Sequence, residues 1–155
     1  MSILAKEIMT KNVITVQEDM KVLSLIEILN ENKISGAPVV DKSGKLIGIV
    51  TKSDILGTFL DFDIDLNLKI DLKGIMEFAR DKSVGTIVSE TEVEVKDIMT
   101  PNPITAEEDT PIERLAEIMI DNRIHRIIII KDESIIGIIS PLNLLYYVAG
   151  RIKDE

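Results

Sequence analysis

The sequence holds no cysteine, no tryptophan and a single histidine among its 155 residues. Without thiols there is neither a disulfide framework nor thiolate chemistry, and a zinc site of the usual His/Cys type lacks its ligands. Aromatics make up 3% of the chain and hydrophobic residues 45%. The core must therefore be built from Ile, Leu, Val and Met, and little is left for stacking on bases. Positive charge is short as well: 18 Lys and Arg stand against 27 Asp and Glu, a formal net charge of −9. That balance argues against duplex DNA or RNA, whose phosphates are held by basic clusters, but not against one small nucleotide in a locally basic pocket. No uninterrupted apolar run approaches the roughly 20 residues of a membrane span, and the opening MSILAKEIMTKN has no signal-peptide pattern. The expectation is a cytoplasmic protein that does not enter a membrane. Nor is there a G-x-S-x-G, a P-loop or a paired His/carboxylate constellation, so an enzyme is not expected.

What is present is an internal repeat. KEIMTKNVITVQED at Lys6 returns as KDIMTPNPITAEED at Lys96, an offset of 90 residues, which marks a tandem duplication. The register continues through the next segment, where Val22, Leu25, Ile26 and Leu29 become Ile112, Leu115, Ala116 and Met119. Positions spaced i, i+3, i+4, i+7 share one helix face, so each copy carries the same amphipathic helix. In the second copy Thr110, Pro111 and Glu113 predict a helix start with a hydroxyl N-cap, a proline at the first helical position and a glutamate at N3.

After each helix comes an apolar run, APVV from Ala37 and RIIII from Arg126, then a polar turn and a second run, LIGIV or IIGII. The turn is one residue shorter in the second copy, which brings Gly137 into correspondence with Gly48. Each copy thus reads strand, helix, strand, turn, strand, helix, an α+β class with the paired strands as a hairpin. The unbroken isoleucines fit a strand covered on both faces. The division expected is a first repeat over 1–60, an inserted structured linker over 61–92 and a second repeat over 93–155. Within the linker, apolar residues at alternate positions from Phe62 to Leu72 suggest a strand or hairpin.

These marks, IMT...VITV, ISGAPVVD, GIVTKSD at Gly48 to Asp54 and GIISPLN at Gly137 to Asn143, resemble the CBS domain, the small module named after cystathionine β-synthase. No single mark is diagnostic, but their order, twice in register, is a strong signal. The resemblance covers Ile3 to Leu60 and Val93 to Val148. It implies a tandem pair of domains packed about a pseudo-two-fold axis, with two clefts between the copies, and pairing of two chains into a disc-shaped homodimer. It implies an adenosine-containing ligand in the clefts (AMP, ADP, ATP, S-adenosylmethionine or its methylthio derivative) whose occupancy regulates a protein partner. The only metal this admits is magnesium carried on a polyphosphate.

By the same resemblance the Ser/Thr of the G-x-x-[ST]-x-x-[DN] pattern contacts phosphate and the Asp takes the ribose diol, a task suited to a carboxylate that accepts two hydrogen bonds. The first copy supplies Thr51 and Asp54, the second Ser140 and Asn143, whose amide departs from the pattern and predicts a weaker site. All four are also residues favoured as helix caps without any ligand. His125 and Arg126, just ahead of the isoleucine run, resemble the HR pair that grips phosphate in adenylate-binding members, where arginine bonds oxygens bidentately. Their counterparts Ser35 and Gly36 are uncharged, so the two clefts are expected to be unequal. The base slot is expected near Ile14, Thr15, Ile104 and Thr105, with Ala37 and Pro38 on the facing strand, and Gly36 is counted among the ligand-binding residues. A different function, a ligand-free oligomerisation or docking module, fits the same fold.

Overall fold

The computed structural model describes residues 2–60 and 92–151. Its elements run α1 (Ala5–Ile8), β1 (Val16–Gln17), α2 (Val22–Glu31), β2 (Gly36–Val40), β3 (Leu46–Thr51) and α3 (Lys52–Leu60). After the linker follow α4 (Val95–Ile98), β4 (Thr100–Pro101), β5 (Thr105–Glu107), α5 (Ile112–Asn122), β6 (Ile127–Lys131), β7 (Ser134–Ile139) and α6 (Pro141–Val148). The alternation expected to form a strand or hairpin from Phe62 to Leu72 lies outside the described residues. The chain divides into two compact units, one comprising Thr15–Asn102 and the other Met1–Ile14 with Pro103–Glu155.

The two units repeat one plan. In the first, β1 runs parallel to β2, β2 antiparallel to β3 and β3 antiparallel to β4, in the order β1-β2-β3-β4. Parallel neighbours need a crossover, and α2 supplies it between β1 and β2. In the second, β5 is parallel to β6 and β6 antiparallel to β7, with Thr10 bridging Ile138 on the free side of β7 as the counterpart of β4. Both hairpins shift register at the same place, after Val39 and after Ile129. A bulge kept in both copies confirms the repeat at the level of backbone geometry. The turns differ as the sequence predicts: Asp41 Oδ1 accepts bonds from Ser43 N, Ser43 Oγ and Lys45 N in the longer one, whereas Asp132 and Glu133 both take positive φ in the shorter.

The predicted stripe of α2 is buried in full: Val22, Leu25, Ile26 and Leu29 pack with Val16, Ala37, Val39, Val50, Ile55 and Val95. In α5 only Leu115 and Met119 are buried, against Ala5, Ile127, Ile129 and Ile139, while Ile112 and Ala116 stay partly exposed. Ile127, Ile128 and Ile129 are all fully buried. Successive strand residues point to opposite faces, so β6 is covered on both, as its unbroken apolar run demands.

Each repeat opens in the other unit. Val93 and α4, which begin the second repeat in sequence, serve the first unit: Val22 N donates to Val93 O, Val95 N to Met20 O and Lys96 N to Glu18 O. Ninety residues away the pattern is reproduced, with Ile112 N donating to Ile3 O, Ala5 N to Thr110 O and Lys6 N to Glu108 O. These bonds explain a departure from expectation at the start of α5. The N-cap is Pro111, without a side-chain cap, and the hydroxyl of Thr110 is not needed there. Backbone from the N-terminal segment satisfies the first turn instead. The same exchange requires two glycines. A Cβ on Gly48 would lie 2.5 Å from Met99 Sδ, and one on Gly137 would collide with the Met9 side chain, so each IMT methionine packs over a position that must stay bare.

Where the opening segments meet the helices the copies have diverged. Lys21 bonds Glu94 at 3.2 Å and Glu92 at 3.3 Å, and Lys96 bonds Glu94 at 2.8 Å; the equivalent bridge in the second unit joins Leu4 to Pro111. The hydrogen bonds from Lys96 and then Lys21 hold the Glu94 carboxyl below its ordinary range, and Lys131 does the same to Glu108. A carboxyl with a lowered folded pKa contributes stability above its unfolded pKa and loses it as pH falls through the folded value. Melting temperature is therefore expected to fall more steeply below pH about 4.5 in the native chain than in a Glu94→Gln/Glu108→Gln variant, the two curves converging in acid. Thermal melts from neutral to acid pH check this, and parallel curves would refute it.

Candidate functional site

At the end of the first hairpin the chain turns directly from β3 into α3, and this turn builds a closed polar cap. Thr51 N donates to Asp54 Oδ2 at 2.7 Å, Thr51 Oγ1 donates to the same oxygen at 2.9 Å, and Asp54 N approaches Thr51 Oγ1 at 3.4 Å. This is the reciprocal capping arrangement, with the carboxylate reaching back from the first turn of the helix. Asp54 Oδ1 makes no bond to any described residue. Gly36 pairs with Thr51 across the hairpin, and Lys52 N donates to Ser35 O at 3.0 Å. The polar turn therefore lies beside a strand entry without side chains of any bulk.

The second unit repeats the turn with different chemistry. Ser140 N and Ser140 Oγ both donate to Asn143 Oδ1 at 2.9 Å. The amide nitrogen of Asn143 then donates to Ile8 O at 2.9 Å and to Thr10 Oγ1 at 3.3 Å. Its orientation is fixed from both ends, because a backbone N–H can only donate and a backbone carbonyl can only accept. The last pair of the hairpin joins Ile127 to Ile139, so Arg126 stands one step beyond it, at the register position facing Ser140. His125 is exposed and Arg126 partly buried, the latter with an interaction of its own.

The predicted residues thus fall into two groups. Thr15, Gly36, Ala37, Pro38, Thr51 and Asp54 belong to the first unit, and Ile14, Ile104, Thr105, His125, Arg126, Ser140 and Asn143 to the second. Ile14 and Thr15, adjacent in sequence, straddle the division. The side chain of Ala37 is part of the first hydrophobic core, so what it offers a ligand is backbone. Ile104 O accepts from Ile128 N at 3.4 Å, and Thr105 pairs with Ile128, which sets the lead-in to β5 beside the strand that follows the basic pair. Sequence reasoning missed Ile8 and Thr10 as partners of Asn143. The signal was the recurrence of IMT, in which Thr10 and Thr100 hold equivalent places. Among the described residues no group of three or more His, Asp or Glu is placed to hold a metal ion, and no helix is long and apolar enough to cross a membrane.

A family model described as the CBS domain matches residues 5–61 and again 95–150. An uncharacterized protein of Methanocaldococcus jannaschii is 36% identical over 156 residues, spanning 92% of this chain and 89% of that one. The inosine-5′-monophosphate dehydrogenase of the same organism is 33% identical over 142 residues, which is 91% of this chain but only 23% of the enzyme. Among solved structures, a CBS domain pair in complex with 5′-methylthioadenosine and S-adenosyl-L-methionine has a TM-score of 0.71 at 26% identity, covering 94% of this chain and 99% of that one.

Proposed function

This chain belongs to the CBS-domain family, and on that footing we propose that it is a regulatory module, not an enzyme, which binds an adenosine-containing ligand and passes its occupancy to a partner protein. The observation that carries the proposal is the Asp54 carboxylate: one oxygen is fixed by Thr51 N and Oγ1, leaving the other for a vicinal diol at a bare strand entry. The 26%-identical domain pair that takes 5′-methylthioadenosine and S-adenosyl-L-methionine supports the ligand class. His125, Arg126 and Ser140 are the groups we assign to phosphate, with magnesium entering only on a polyphosphate ligand. Thr15 and the backbone of Gly36 to Pro38 are assigned to the base in the first unit, and Ile14, Ile104 and Thr105 in the second. The chain works in the cytoplasm in this reading.

A thermal-shift panel of 5′-methylthioadenosine, S-adenosylmethionine, AMP, ADP and ATP tests it. A ligand present at ~100 times its dissociation constant should add ~2.7 kcal/mol of stability, and Asp54→Ala should remove that gain. No shift with any of the five would end the proposal.

A docking role has an observation of its own. α6 carries no charged residue and leaves Leu142, Leu145 and Val148 exposed at 55%, 62% and 79%, a run of apolar surface that two acidic molecules could share without repulsion. We assign it to a homodimer. Light scattering should give twice the chain mass, falling to one chain mass in Leu145→Glu; a native monomer at every concentration would refute the assignment.

A further inference from the structure

The two equivalent turns form the same cap bonds and differ in what else their side chains touch. An amide can make four hydrogen bonds, two as acceptor and two as donor, and Asn143 makes all four: Ser140 N and Oγ on its oxygen, Ile8 O and Thr10 Oγ1 on its nitrogen. Asp54 makes its two cap bonds through Oδ2 alone, and its other oxygen meets no described residue. We infer that the duplicated position has divided its work: Asn143 is a clamp that fastens the opening segment of the chain to the second sheet, and Asp54 alone reads the ribose, so that each chain holds one ribose-discriminating site. The assignment of the sugar to Asp54 rests on the adenosine-ligand reading above; the clamp does not.

The chemistry of the exchange explains why Asn stands at 143. The nearest group to Asn143 Nδ2 is the Ile8 carbonyl, which can only accept. A carboxylate there would set oxygen against oxygen, in a partly buried place, and leave the carbonyl unsatisfied. The segment so fastened carries Thr10, whose N and O exchange bonds with Ile138 O and N at 3.0 Å. Position 54 makes no such bond to a carbonyl of the segment that follows the linker, so a carboxylate is tolerated and its second oxygen stays available.

Two measurements on the full chain decide this. Hydrogen exchange at the Thr10 and Ile138 amides should quicken at least tenfold in Asn143→Asp, while amides of the first sheet, such as Val39 and Val50, keep their native rates. Unchanged exchange at Thr10 and Ile138 would overturn the clamp whether or not any ligand binds. Calorimetric titration of the native chain with AMP and with 2′-deoxy-AMP should show preference for the ribonucleotide at one site per chain. Asp54→Asn, which keeps the cap bonds through its amide oxygen as Asn143 does, should lose that preference about tenfold. Two sites per chain with equal ribose preference, or a preference that survives Asp54→Asn, would overturn the division of work. A chain that binds none of AMP, ADP, ATP, 5′-methylthioadenosine and S-adenosylmethionine would overturn the single-site assignment together with the reading it rests on, leaving the exchange data to decide the clamp.

Discussion

A chain that begins at Thr10 is expected to lose its second compact unit while keeping the first. The deleted residues bring Ala5 into the core formed by Leu115, Met119, Ile127, Ile129 and Ile139. They also supply the partners of Ile112 N, Thr110 O, Glu108 O and the Asn143 amide. Each buried polar group left without a partner costs about 1–3 kcal/mol, and water entering the gap recovers part of it. The sum is on the order of 5 kcal/mol, comparable with the whole stability of a small domain, about 5–15 kcal/mol. Amide spectra should therefore retain dispersed signals for residues such as Val39, Val50 and Ile55 and lose them for Ile127 to Ile129. A truncated chain that melts within a few degrees of the native one would show that α1 adds little.

That dependence could not be read from the sequence, for a definite reason. The duplication itself was plain, because KEIMT and KDIMT recur at a fixed offset, and so were the helices, because Leu25 and Leu29 have partners in Leu115 and Met119 at the same spacing. The isoleucine run announced a doubly covered strand, and Ile127 to Ile129 form one. But the two opening segments are near copies, so each fits either helix start equally well on paper, and nothing local tells Ile3 to bond Ile112 and Val93 to bond Val22. Which segment joins which sheet is settled by long-range geometry. The helix start at Pro111 shows the same blind spot: a good local cap at Thr110 was displaced by backbone groups arriving from a distant part of the chain.

The candidate site was legible to a similar degree. Thr51, Asp54, Ser140 and Asn143 all stand at the turns where the repeat puts them, and the cap bonds predicted for such residues are formed in both units. What a pattern of residue types cannot convey is how many of a side chain's bonds are already made. Asp54 and Asn143 look alike as caps and differ in what remains to offer a ligand. That distinction appears only once Ile8 and Thr10 are brought beside Asn143.

Leu25→Ala and Leu115→Ala probe whether the duplicated cores are also independent ones. Both leucines are fully buried and occupy the same place in their helices, but they belong to clusters that share no member. Each substitution removes the transfer free energy of the lost methyl groups and leaves a void that rigid neighbours fill only in part. Each is expected to cost about 2–5 kcal/mol, which for a chain of this length lowers the melting temperature by roughly 4–20 °C. Leu25 is surrounded by strands of its own hairpin together with Val95, and Leu115 by its hairpin together with Ala5. The smaller Ala5 leaves the second cluster more dependent on its central leucine, so the loss at Leu115 should be the larger of the two. Urea titrations of both single variants and the double variant measure the costs, and separate cores require the double to equal their sum within about 0.5 kcal/mol. A larger discrepancy would mean that the exchanged opening segments couple the two cores.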